Sequence, residues 1–127
     1  MTEYFVTYEQ AIELKELGFS EPCFAKFIKK SFQLNSLGGG NNYNNGAFGI
    51  NIISAPLKQQ ALRWFRDKYN IDIENTKSCH PNLGKYYAWG IVLDDFSTLT
   101  LGLYDTYEQA ESACIDKLIE LIKNKKT

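Results

Sequence analysis

Thr7-Tyr8-Glu9-Gln10-Ala11 recurs as Thr106-Tyr107-Glu108-Gln109-Ala110, and each copy opens an amphipathic run. A Thr followed three residues later by Gln is a capping box. The Thr hydroxyl accepts the Gln backbone N–H, while the Gln side chain accepts the N–H of the Thr. Two orphan donors of a helix start are thereby satisfied, and Glu9 and Glu108 sit favourably at the positive end of the dipole. The first copy predicts a helix over Tyr8–Leu17, with Ala11 and Leu14 on its apolar stripe and Val6 stapled onto Ala11. Gly18 falls where a left-handed residue closes a helix. The second copy predicts a longer helix, in which Ala110, Cys114, Leu118 and Leu121 form one stripe beside Ile115, Ile119 and Ile122. The flanks of the two copies share nothing else, so the repetition reads as the same cap used twice rather than as a structural repeat.

Between these two helix starts the pattern alternates. Pro22 bars helix continuation, and Cys23–Lys29 and Phe32–Leu34 read as strands. The Gly/Asn-rich composition of residues 37–47 predicts a flexible loop, after which Phe48–Ile53 reads as a strand. Ser54-Ala55-Pro56 predicts the start of a second helix, with Ser54 as cap. Leu57, Ala61, Trp64, Phe65 and Tyr69 lie on its apolar side; Gln59, Gln60, Arg63, Arg66 and Asp67 lie opposite. Ile71–Asn75, Tyr86–Leu93 and Thr98–Tyr104 read as three more strands, the last two joined by a turn at Asp94-Asp95-Phe96-Ser97. The expected fold is a two-layer α+β domain, an antiparallel sheet with helices on one face, in the order α-β-β-(β)-α-β-β-β-α.

The chain has 127 residues, of which 44% are hydrophobic and 23% charged, the balance of a single globular domain over 1–127. A net charge of −1 argues against a nucleic-acid partner, which selects for basic excess. The order of Pro56–Lys123 matches that of double-stranded-RNA-binding domains. However, where that family grips phosphate with lysines this chain reads Tyr107-Glu108-Gln109-Ala110-Glu111. No apolar run is long enough to span a membrane, and the N-terminus does not read as a signal peptide. Three cysteines without a CxxC spacing suit free thiols, and the expected location is the cytoplasm.

No catalytic group can be assembled. Cys79 and His80 are adjacent and point apart in an extended segment, and Asp94-Asp95 is explained by turn chemistry. The glycine-rich segment lacks the P-loop pattern. We therefore expect no enzyme, no metal and no cofactor. What remains is a set of binding candidates. Arg63 and Arg66 form an exposed strip suited to phosphate or carboxylate, and Tyr86, Tyr104 and Tyr43 are aromatics left outside the core pattern.

Three strings carry a resemblance: Glu13-Leu14-Lys15-Glu16-Leu17-Gly18-Phe19 with Glu21-Pro22-Cys23-Phe24; Ser54-Ala55-Pro56 with Gln60 to Tyr69; and Thr106 to Glu111 with Ala113-Cys114. They resemble a group of small uncharacterised proteins of Bacteroidetes-type bacteria and their phages. The resemblance implies a phage- or mobile-element-associated accessory protein and no particular reaction. The leading expectation is a non-enzymatic protein, as a homo-oligomer such as a homodimer, that binds a host protein and modulates host defence or metabolism. The alternatives are a small-ligand or nucleotide-binding protein and a virion-associated structural protein.

Overall fold

The capping boxes form as the sequence dictates. In a computed structural model, which describes residues 2–34, 52–80, 84–92 and 98–125, Gln10 N donates to Thr7 Oγ1 at 3.1 Å and Thr7 N donates to Gln10 Oε1 at 2.9 Å. The Thr106–Gln109 pair repeats this with 3.1 and 3.3 Å. For 75–80, 84–86, 98–103 and 125 the backbone alone is described. The resulting order is α1 (Tyr8–Glu16), β1 (Ala25–Ile28), β2 (Ser31–Leu34), β3 (Ile52–Ser54), α2 (Lys58–Tyr69), β4 (Asp72–His80), β5 (Gly84–Val92), β6 (Thr98–Tyr104) and α3 (Tyr107–Lys125). The α+β class and the element order match the expectation. The strands, however, divide into two three-stranded antiparallel sheets rather than one. The chain correspondingly separates into two compact units, Met1–Ala61 and Leu62–Thr127, with the boundary inside α2.

In the first unit α1 ends in the hydrogen-bond pair of a Schellman motif. Phe19 N donates to Leu14 O at 2.9 Å and Gly18 N to Lys15 O at 3.1 Å. This closure needs a left-handed residue, which Gly18 supplies at φ 98°. Leu14 and Phe19 are fully buried, and α1 packs against β3. The sheet runs β2-β1-β3, with β1 in the centre. Phe27 is paired with Phe32 across β1–β2 and with Ile53 across β1–β3.

The second helix begins later than the sequence suggests. Ser54 is not its cap: it pairs with Lys26 in the sheet, lies buried and hydrogen-bonds with the Cys23 thiol. Pro56 O accepts from Val6 N at 3.0 Å, and Leu57 makes an isolated bridge with Phe5, which holds the backbone extended up to that point. Ala61 N then donates to Leu57 O, the first bond of the helix.

In the second unit the sheet is a meander, β4-β5-β6. β4 runs well beyond the expected Asn75 to His80, because its polar second half finds partners along β5 from Ala88 to Gly84. α3 packs on β5 and β6, burying Ala110, Cys114, Ile115, Leu118, Ile119 and Ile122. Tyr107, at the start of α3, meets the Tyr87 and Trp89 rings at 6.1 and 5.9 Å. On α2, Trp64, Phe65 and Tyr69 form their own ring cluster, with centroids 5.1 to 6.1 Å apart.

Candidate functional site

The first unit contains a cavity of about 300 Å³, lined by Thr2, Glu3, Phe5, Val6, Thr7, Tyr8, Phe27, Phe32 and Lys58. Its walls follow from the pairings already given. A 3-10 turn at Thr2–Tyr4 and the Phe5–Leu57 bridge bring the N-terminal segment alongside the start of α2. The capping box places Tyr8 in the first turn of α1. The β1–β2 register sets Phe27 opposite Phe32.

The rings touch in edge-on or tilted geometry. Phe5–Phe32 centroids are 5.0 Å apart, Tyr8–Phe27 5.5 Å and Phe27–Phe32 5.7 Å, within the range in which aromatic pairs attract. Two charged residues share the lining. Glu3 is exposed, and its carboxyl is held below the ordinary value chiefly by hydrogen bonding to the N-terminal amine and to its own backbone, with the Lys58 charge the smallest influence; Lys58 is buried, at 5% exposure. Lys30 lies with Nζ 5.9 Å from the Tyr8 ring centre.

The turn that makes this wall is unusual. Ile28 pairs with Ser31, so Lys29 and Lys30 alone connect β1 to β2, and both have positive φ, 49° and 75°. A two-residue hairpin turn with both φ positive is normally Asn-Gly. Two lysines here carry a steric cost, of about 1 kcal/mol per residue or somewhat more.

The residues singled out from the sequence lie elsewhere. Arg63 and Arg66 are exposed on α2, as expected of the polar side of that helix. Beside them Lys68 Nζ stacks 4.9 Å from the Trp64 ring centre. Tyr86 stands opposite Ser78 on β4, and Tyr104 is half-buried opposite Tyr87. A register shift between Tyr87 and Trp89 offsets β6, so the backbone pairs Tyr104 with Tyr87 rather than with Tyr86. Tyr43 and the loop over 37–47 lie outside the described residues, as does the turn at Asp94 to Ser97.

Sequence reasoning missed the cradle because Phe5, Tyr8, Phe27, Phe32 and Lys58 come from five separate segments. One signal was available: Phe27 and Phe32 flank a short gap between two strands, and a two-residue turn there makes them cross-strand neighbours. Lys-Lys conceals that turn.

Burial disfavours the thiolate form of the described thiols. Burial, before any other influence, pushes Cys23 up to about 12 and Cys114 up to about 12. Among the described residues no group of three or more His, Cys, Asp or Glu could hold a metal ion, and no helix is long and apolar enough to cross a membrane. Comparison with protein-family models, with curated proteins and with solved structures gives no match.

Proposed function

We propose that the protein is a non-enzymatic accessory protein of the phage or mobile-element kind that acts by binding, and that its site is the aromatic cradle of the first unit, which holds a small ring-bearing ligand. The observation that carries this reading is the cavity of about 300 Å³ walled by Phe5, Tyr8, Phe27 and Phe32. A dry cavity about half that size is enough to hold benzene, so a ring with a short chain fits. The lower end of ordinary ligand pockets also lies near this volume.

The expected affinity is modest. A probe of about ten non-hydrogen atoms, at roughly 0.4 kcal/mol per atom, binds with a Kd of about 1 mM. The test is ligand-observed NMR with 3-phenylpropan-1-ol on the natural chain and on Phe32→Ala. Phe32 is half-buried, so its truncation should leave the fold intact while weakening the probe about fivefold or more. An unchanged signal in Phe32→Ala would place the probe elsewhere and reject the cradle.

A second reading, binding of a host protein, is favoured by the exposure of Arg63 and Arg66 one turn apart on α2. Two guanidinium groups so placed suit a partner's carboxylates. Arg63→Glu with Arg66→Glu should abolish pull-down of such a partner while the protein keeps its circular dichroism spectrum.

A further inference from the structure

We infer that the cradle selects an anionic head on its ligand, a carboxylate joined to a ring-bearing body, with Lys58 as the opposing charge. This rests on the ligand-binding reading above and adds the sign of the group recognised.

The two charged residues of the lining are not equivalent. Glu3 is exposed, and its field is screened by solvent and salt. Lys58 is buried at 5% exposure, and a charge pair near such a site is about fourfold stronger than in bulk water. An ammonium has three donors, so it can take a carboxylate in addition to its existing contacts. The buried charge therefore sets the sign of the cavity.

Two further observations add to it. Lys58 is the first residue of α2, a helix of 12 residues, so the positive end of that helix dipole lies at the same wall. Lys30, exposed and screened as Glu3 is, places a second ammonium 5.9 Å from the centre of Tyr8, one of the lining rings, and adds the smaller part. Lys58 also breaks a local rule: a lysine in the first turn opposes the helix dipole, and burying it costs solvation. Local rules are broken most often where a site needs them broken.

An ammonium-bearing ligand is the natural competitor, since aromatic walls attract cations. It would have to approach the buried Lys58, and the carboxylate it meets in the lining is the exposed Glu3.

The experiment compares 3-phenylpropionate, 3-phenylpropan-1-ol and 3-phenylpropylamine on the full chain at pH 7 and low salt, by calorimetry and ligand-observed NMR. The acid should bind about tenfold tighter than the alcohol, and the amine weakest. Lys58→Met should bring the acid to within about twofold of the alcohol measured on the same variant, and Lys58→Arg should keep the preference. Glu3→Gln, at an exposed and screened position, should tighten the acid by about twofold at most. Equal binding of acid and alcohol, or tightest binding of the amine, overturns the inference and leaves the cradle reading standing. Failure of all three probes to bind overturns both. The comparison on the unaltered chain decides the matter even if Lys58→Met fails to fold.

Discussion

The two units open a helix with the same five residues and then do different things with it. In the first, the box starts a helix of 9 residues that Gly18 closes at once, and the surrounding sheet leaves an aromatic cavity. In the second, it starts a helix of 19 residues whose apolar stripe covers β5 and β6. The contrast separates what a cap decides from what packing decides. A capping box fixes where a helix begins. Its length follows from the next breaker, and its burial from the apolar spacing beyond the first turn.

The largest expected effect tests whether both helices are held mainly by packing. Leu14→Ala in α1 and Leu118→Ala in α3 each remove a fully buried side chain and should each cost about 2–5 kcal/mol in urea unfolding. A cost below about 1 kcal/mol for either would show that its helix is not anchored by its core stripe.

The thiols sharpen the comparison by pH, since among the described residues each unit buries one. A folded-state value near 12, above the unfolded value of about 8.5, means the native state retains protons that the unfolded state has lost. Stability is therefore fully present below about pH 8.5 and falls as pH rises through the window from there to about 12. Each thiol contributes a slope of about 1.4 kcal/mol per pH unit in that window. Denaturation curves between pH 8 and 10 should show this loss, and Cys23→Ala with Cys114→Ala should flatten it.

Next come the caps themselves. Thr7→Ala and Thr106→Ala should each cost about 1 kcal/mol by thermal unfolding. Thr7 should cost the more, because its box is partly buried and that of Thr106 is exposed. Equal costs would mean that surroundings do not modulate the motif. The smallest effect concerns the hairpin: Lys29→Asn with Lys30→Gly should raise stability by up to about 1 kcal/mol. It relieves two positive-φ lysines but gives up the Lys30–Tyr8 contact, of about 0.5–1 kcal/mol.

Much of the fold was legible because it is written locally. Thr7, Gly18 and Thr106 mark helix ends through their own hydrogen bonds, and Thr98–Tyr104 alternates over its full length. The start of α2 was misread because Ser54 and Pro56 carry valid cap chemistry that β1 and Val6 claim first. The second half of β4 was missed because Thr76-Lys77-Ser78 has no apolar period and is held by backbone pairing with β5. That the six described strands form two sheets depends on which edges meet, which no local pattern encodes. Part of the cradle carried a local signal, the short gap between Phe27 and Phe32, but its junction with Phe5 and Lys58 joins segments far apart in sequence.

Cys23 and Cys114 sit as neutral thiols inside close-packed surroundings. While the chain is folded they are shielded, and once it opens they ionise readily and can be oxidised. A sulfur that has gained oxygen or a disulfide partner no longer fits the space it left. Each excursion to the unfolded state under oxidising conditions is then remembered chemically, and the molecule's working life is set by how often it opens as well as by how stable it is when closed.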